Sequence, residues 1–154
     1  MHFAGDDPVC THTLAGAASI LLSDLVEHLR PGSTWEEKVR QDNNLSPSAF
    51  FKIARKAQNF LKHAREDPGE TLDFNPSDTD ALLTIAVFNA SELAPLSPEA
   101  NVFQLWSLAL LCPEDMTNDP PFREAISYFG RLQHMERPAQ LVAGMRGLQE
   151  IAPQ

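Results

Sequence analysis

The segment Asn75-Pro76-Ser77-Asp78-Thr79-Asp80-Ala81-Leu82-Leu83-Thr84-Ile85-Ala86-Val87-Phe88-Asn89-Ala90-Ser91-Glu92-Leu93 contains the two features that predict the fold. The Asn75 side chain can accept a hydrogen bond from a free amide of the first helical turn, and Pro76 fits that turn because no donor is needed there. The residues that follow are apolar on almost every side of a helix. A helix of this kind lies inside a bundle, where several neighbours cover it.

The same start signal precedes other helical patterns, at Asp7-Pro8, Ser46-Pro47 and Ser97-Pro98, and Ser33-Thr34-Trp35-Glu36 adds a capping-box pattern. These signals predict helices over about 8–29, 35–41, 47–65, 76–93 and 98–111, and weaker helices over about 121–129 and 138–151. No run of alternating strands is visible in the sequence. We therefore expect an all-α, single-domain bundle of about five to seven helices, with a more loosely attached segment over about 119–154.

The first predicted helix carries two different rows of residues. Its apolar stripe consists of Leu14, Ala18, Leu21, Leu25 and Leu29. A second row begins with the imidazole of His12 and continues with the small residues Gly16, Ser19 and Ser23. A row of small residues at helical spacing predicts close contact with a neighbouring helix.

Composition and charge narrow the class of protein. A formal net charge of -9 argues against general binding to nucleic acid or to an anionic membrane. Cys10 and Cys112 are too few for a disulfide framework, which favours a reducing compartment. The first residues lack a signal-peptide pattern, and the apolar runs 82–88 and 105–112 are too short to span a bilayer. We expect a cytoplasmic protein with no membrane partner. The sequence contains no glycine-rich nucleotide-binding motif, so we expect no cofactor.

Positive charge is concentrated in one predicted helix. Five of the 12 Lys and Arg residues lie within residues 52–65, and most of them share one side with an amide and a histidine. We call this side the basic face: Lys52, Arg55, Lys56, Asn59, Lys62 and His63. It predicts binding of a phosphate-bearing or acidic partner, with His63 available for proton transfer. The alternative is a solvated helix face, on which the helix macrodipole favours the cations near the C-terminal end.

Two further alternatives concern a metal site and self-association. If the helices over 8–29 and 47–65 are neighbours, His12 and His63 could bind a metal together with Asp67 or Glu66. Otherwise His12 belongs to the helix contact and Asp67 caps the turn before a proline. Gly144 and Gly147 weaken the last predicted helix by about 1 kcal/mol each, so this helix could pack on a second copy in a homo-oligomer.

Three stretches are similar to a family of small, uncharacterised bacterial helical proteins. They are Asp7-Pro8-Val9-Cys10-Thr11-His12-Thr13-Leu14-Ala15, Asn59-Phe60-Leu61-Lys62-His63-Ala64-Arg65-Glu66-Asp67-Pro68 and Thr71-Leu72-Asp73-Phe74-Asn75-Pro76. In order, they span roughly the first two-thirds of the chain. This resemblance implies a helical fold and no particular activity.

A shorter motif resembles the HEPN superfamily, all-α domains of which many are metal-independent RNases active as dimers. Gln58-Asn59-Phe60-Leu61-Lys62-His63 is similar to the signature Arg-Asn-x-x-x-His, although Gln58 stands in place of the phosphate-stabilising Arg. The resemblance implies a HEPN-like scaffold. As an alternative function it implies an RNase in which His63 is the general acid and base and Asn59 orients the substrate.

Overall fold

The computed structural model describes residues 2–44, 46, 48, 55–62, 68–69 and 71–152, with the backbone alone for Gln58, Leu61 and Lys62. Its α-helices are α1 (Pro8–Leu29), α2 (Trp35–Asp42), α3 (Lys56–Lys62), α4 (Pro76–Leu93), α5 (Pro98–Leu111), α6 (Pro120–Phe129) and α7 (Arg137–Ile151). Short 3-10 turns lie at Glu114–Met116 and Leu132–His134. The described residues contain no strand, so the predicted all-α bundle of five to seven helices is confirmed.

The helix ends follow from the local capping chemistry. The Asn75 side chain accepts from the Ser77 amide at 3.0 Å, and the Ser97 hydroxyl accepts from the Ala100 amide at 3.3 Å. These caps account for the starts of α4 and α5, and both helices, like α1, also end at the predicted residues. The helix predicted over 47–65 is described only at Lys56–Lys62.

The capping box at the start of α2 differs from the predicted one by one residue. The N-cap is Thr34, whose hydroxyl accepts from the Glu37 amide at 3.2 Å, and not Ser33. The shift matters because it frees Glu36 from the cap. The Glu36 side chain instead points into the protein, where the residue is buried.

The described chain divides into two compact units, and we describe each separately. The N-terminal unit is Pro8–Ala94, and the C-terminal unit joins Met1–Asp7 to Pro95–Gln154. In the N-terminal unit, α1 packs along α4, while α2 also contacts α4 and α3 contacts α1. Three contacts, His12 with Thr79, Ser23 with Asn89 and Arg30 with Glu92, follow both helices in ascending order. The helices α1 and α4 are therefore parallel, with α2 and α3 in the connection between them.

The packing face of α1 is the row of small residues, as predicted. His12, Ala15, Gly16 and Ser19 are buried, and Val26 extends this face towards the C-terminal end. Small side chains let the α4 backbone approach closely, and this contact excludes water along much of α1.

The apolar stripe of α1 is not a packing face, which corrects the usual reading of such a stripe. Leu14 is 57% exposed, Leu21 61%, Leu25 43% and Leu29 64%. The stripe lies on the side of the helical wheel away from the small-residue row and outside the contact with α4. We call these four side chains the leucine ridge.

The C-terminal unit is built around α5, against which α6 and α7 pack. Phe3, Phe103 and Trp106 form an aromatic cluster, with the rings of Phe3 and Trp106 5.1 Å apart. The Trp106 indole N–H donates to the Gln140 carbonyl at 2.8 Å and thus ties α5 to α7. The looser attachment predicted for residues 119–154 stays a prediction.

Glycine in α7 has a packing reason that the sequence did not reveal. A Cβ atom on Gly144 would lie 2.5 Å from the Phe3 ring, and one on Gly147 would lie 3.0 Å from the Val102 side chain. Both glycines are buried. The lower helical propensity of the two glycines is therefore offset by the close contacts that they allow between α7 and its neighbours.

Among the described residues, α1 alone is long and apolar enough to span a membrane, judged by length and composition. Of its most apolar window, 39% is buried inside the protein. The core helix of a soluble protein passes the same test of length and composition, so this result is weak evidence for a membrane span.

Candidate functional site

The structure describes only part of the predicted basic face. Lys56 and Asn59, one turn apart on α3, are both exposed, whereas Arg55, just before α3, is half-buried. Lys62 ends α3, and only its backbone is described. Lys52 and His63 lie outside the described residues. The described part of the basic face is therefore a small polar surface made by Lys56 and Asn59.

Arg55 lines a cleft whose charge is mainly negative. The cleft has a volume of about 450 Å³ and is lined by Asp24, Glu27, Glu36 and Glu37 in addition to Arg55. Four carboxylates line the same cleft as this one guanidinium, so the positive charge of Arg55 is offset locally. This arrangement reduces what Arg55 can contribute to binding a phosphate on the basic face.

Glu36, which also lines this cleft, is held by a network of side-chain donors. Asn89 donates from Nδ2 to Glu36 Oε2 at 2.8 Å, and the Ser19 hydroxyl donates to Oε1 at 3.4 Å. The Ser23 hydroxyl is a further donor to the same Oε1 atom. A buried carboxylate needs such donors, because burial without partners would cost several kcal/mol. The network joins α1, α2 and α4 at one point.

The remaining charges near the cleft are paired at the surface. Arg40 and Gln41 donate to the Glu37 carboxylate, and these hydrogen bonds lower its pKa to about 2. Lys38 donates to Glu92 at 3.1 Å and Arg30 donates to it at 3.0 Å. The hydrogen bond from Lys38 is the main reason that the pKa of Glu92 is lowered. These pairs join the C-terminal ends of α1 and α4 to α2.

His12 is a packed side chain of the helix contact, in agreement with one of its two predicted roles. It is 1% exposed, its Nδ1 atom is 3.1 Å from the Thr79 hydroxyl, and its ring meets that of Phe74 edge to face at 5.1 Å. Burial lowers its pKa, although the charge of Asp78 acts in the opposite direction. The imidazole is therefore kept neutral inside the protein.

The predicted metal alternative cannot be completed from the described residues. His63 and Asp67, two of its three ligands, lie outside them, as does Glu66. Within the described ranges, no group of three His, Cys, Asp or Glu side chains could hold a metal ion. The metal site stays a prediction.

The leucine ridge is the most coherent surface feature in the described part of the chain. Its leucines follow one another at intervals of seven, four and four residues, so they form a line along the whole of α1. Ala18, which is half-buried, lies in the same line. The ridge offers apolar contact area to another molecule.

The sequence pattern identified the leucines of the ridge as an apolar stripe, but it gave no sign of the Glu36–Asn89 pair. Glu36 was noticed only as part of a capping pattern, and Asn89 only as one polar position in an apolar helix. No protein-family model, curated protein or solved structure matches the chain.

Proposed function

We propose that this chain is an interaction module, in which the leucine ridge of α1 binds another polypeptide. The observation that carries this proposal is the exposure of four leucines in one line, at 43–64% each. A contiguous exposed apolar surface commonly marks an interaction site, whereas single exposed leucines are ordinary. The proposal makes the chain a binding protein and assigns it no catalytic step.

The magnitude of the apolar contact is sufficient for binding. Burying a fully exposed leucine is worth about 1.5–3 kcal/mol, so four leucines that are about half exposed offer about 3–6 kcal/mol from this chain alone. A partner with its own apolar face would add a similar amount. Together these contributions are comparable to the about 4–15 kcal/mol lost when two molecules associate, which predicts modest affinity.

The experiment is site-specific photo-crosslinking in the cell. A photoreactive amino acid replaces Leu21 of the ridge, and a matched variant carries it in place of Leu111, a leucine of α5 with nearly the same exposure (59% against 61%). We expect position 21 to yield defined adducts, identified by mass spectrometry, that position 111 does not yield. Equal labelling at both positions, or none at position 21, would refute the interaction module.

A second candidate function is binding of a phosphate-bearing or acidic partner through the basic face. The observation in its favour is the exposure of Lys56 and Asn59 on one side of α3. Stepwise replacement of Lys52, Arg55 and Lys56 by Gln should then weaken binding to a phosphopeptide progressively, and added salt should weaken it too. If neither replacement nor 0.5 M salt, roughly five times the ionic strength at which the Debye length is about 10 Å, changes the affinity, the basic face is a solvated surface.

The HEPN-like RNase stays an alternative with a sharp test of its own. His63→Ala should abolish cleavage of single-stranded RNA while the variant remains folded, because the imidazole would be the general acid and base. Asn59→Ala should reduce turnover less.

A cytoplasmic location is part of the main proposal and is supported by the absence of a disulfide at Cys10 and Cys112, both within the described residues. The bacterial origin implied by the sequence resemblance also remains a proposal.

A further inference from the structure

We propose that residues 2–7 form a detachable strap, and that the groove which the Phe3 ring fills on the C-terminal unit is a binding site for an aromatic side chain of a short peptide segment. The strap occupies this site from within the same chain, and an aromatic segment supplied in trans takes its place when the strap is open. The groove belongs to the C-terminal unit, whereas the leucine ridge belongs to the N-terminal one, so neither site depends on the other.

The strap is an aromatic anchor on an exposed linker. Phe3 is buried, at 8% exposed, and His2 is half-buried, whereas residues 4–10 are all exposed. The Gly5 amide donates to the His2 carbonyl at 3.3 Å, and Gly5 has a φ of +68°, a left-handed conformation that favours glycine. A tight turn therefore follows the buried ring directly, and the exposed linker continues from it to α1.

The groove is shaped for an aromatic ring. The ring of Phe3 meets that of Trp106 edge to face at 5.1 Å, and it stacks on that of Phe103 at 5.8 Å. On the α7 side, a Cβ atom at Gly144 would lie 2.5 Å from the Phe3 ring, too close for any side chain. Two aromatic rings and a glycine backbone thus form a slot that recognises a flat apolar ring by its shape and by edge-to-face contact.

The C-terminal unit keeps a core of its own when the ring leaves. Ala109 of α5, Ala125 of α6 and Leu132 of the second 3-10 turn are 0% exposed, and Phe129 of α6 is buried with them. A Cβ atom on Gly147 of α7 would lie 3.1 Å from Phe129 Cζ, so a second close contact joins α6 to α7. This packing uses no residue of the strap. Opening therefore removes one ring from the unit and leaves its core in place.

The burial of one ring sets how often the strap opens. Burying a phenylalanine side chain between aromatic rings favours the docked strap by about 10²-fold, after the cost of ordering the linker. Global unfolding of a domain is rarer and occurs in about one molecule in several thousand or fewer. The strap is therefore open in about one molecule in a hundred while the C-terminal unit stays folded, as is typical of local opening at a chain terminus.

Binding of a strap peptide to the full-length Phe3→Ala chain tests the site. The peptide has the sequence of residues 1–7 and carries a fluorophore at its C-terminal end, so fluorescence anisotropy measures its binding. A short tether gives an effective concentration of about 1–10 mM, and a docking constant of about 10² then predicts a dissociation constant of about 10–100 µM in trans. The wild-type chain should bind about 100-fold more weakly, because its own strap fills the groove.

Gly144→Ala on the Phe3→Ala background identifies the groove. With Phe3 replaced, the added methyl group meets no ring in the free chain, but it takes the space that the ring of the peptide needs. We expect binding to weaken by about 5- to 150-fold, the equivalent of overpacking. Val142→Ala, at an exposed position of α7, is the matched control and should leave binding unchanged. A peptide with alanine in place of Phe3 should not bind. Leu21→Glu on the same background should retain binding, which separates the groove from the leucine ridge.

Proteolysis of the wild-type chain measures opening without any substitution. Chymotrypsin cleaves after Phe3 only when the ring has left the groove, because a protease needs an accessible, extended segment. We expect this cleavage, detected by mass spectrometry as loss of the first three residues, to precede cleavage at Phe103 or Phe129. Its rate should change little with urea below the unfolding transition, since opening of the strap exposes little surface.

Each result decides the proposal. A folded Phe3→Ala chain that does not bind the peptide, or that binds it equally after Gly144→Ala, would overturn the binding site. Equal affinity in the wild type and in Phe3→Ala would show that the strap does not fill the groove. Loss of the helical circular dichroism in Phe3→Ala, or cleavage at Phe3 only in urea that unfolds the whole chain, would make the ring part of the core and overturn the strap. None of these results changes the photo-crosslinking test of the leucine ridge.

Discussion

Asn89 of α4 holds both the backbone and a side chain of α2. Its Nδ2 atom donates to Glu36 Oε2 at 2.8 Å, and its Oδ1 atom accepts from the Trp35 amide at 2.9 Å. Asn89 is fully buried, and Glu36 is only 7% exposed. One amide thus supplies a donor to a buried carboxylate and an acceptor to a free amide at the start of α2.

We expect Asn89→Ala to lower the free energy of unfolding by about 1.5–3 kcal/mol, because a buried carboxylate loses a donor to its charged group. Urea denaturation followed by circular dichroism measures the change. Asn101→Ala is the matched control, since Asn101 is an exposed asparagine in a helix. If the two variants lose equal stability, the Asn89–Glu36 bond contributes nothing specific.

Because the leucine ridge is exposed, replacing one of its leucines should lower the free energy of unfolding much less than replacing a buried leucine does. Leu21→Ala should change the free energy of unfolding by no more than about 0.5 kcal/mol, because the side chain is 61% exposed. Leu82→Ala in α4 should cost about 2–5 kcal/mol, because Leu82 is 4% exposed. Thermal and urea unfolding of both variants provide the comparison. A large loss of stability in Leu21→Ala would show that the ridge packs inside the chain.

Gly144 in α7 should resist replacement even though alanine is the better helix former. The gain in helical propensity from Gly144→Ala is about 1 kcal/mol, but the added methyl group overlaps the Phe3 ring and overpacking costs about 1–3 kcal/mol. We expect net destabilisation, measured by urea unfolding, and partial recovery when Phe3→Leu is added. Val142→Ala, at an exposed position of α7, is the control. A more stable Gly144→Ala protein would contradict the close contact.

Stability should fall on acidification because of His12. Its pKa is lowered in the folded protein by burial, so below the ordinary value of 6.5 the unfolded chain binds more protons than the folded one. The free energy of unfolding therefore falls as pH drops below about 6.5 and is independent of His12 well above it. Urea midpoints between pH 5 and pH 8, roughly either side of that value, measure this slope.

His12→Gln should flatten the slope through this range, and His28→Gln, at an exposed position of α1, should retain it. The change in His12 could lower stability at every pH, because it also removes packing against Phe74. The slope, rather than the absolute stability, therefore decides the result. An unchanged slope in His12→Gln would assign the pH dependence to other groups.

Much of the fold was predictable because helix ends depend on local chemistry. Asn75-Pro76 and Ser97-Pro98 bring a side-chain acceptor within reach of amides two or three residues away, whatever the rest of the chain does. The candidate site was less predictable. Lys56 and Asn59 are exposed on one side of α3, but Arg55 lies in a cleft of carboxylates that come from distant parts of the sequence.

The sequence by itself determined where α1, α4 and α5 begin and end, and which small residues of α1 meet a neighbour. Only the tertiary structure decided that the leucine ridge stays exposed, that Glu36 is buried against Asn89, and that Gly144 admits Phe3. The physical reason is the distance along the sequence over which each interaction acts. Capping joins residues a few positions apart, whereas the face that a helix buries depends on the shape of the neighbour it packs against. On α1, the small residues admit α4, and the leucines on the far side of the helix remain available for another surface.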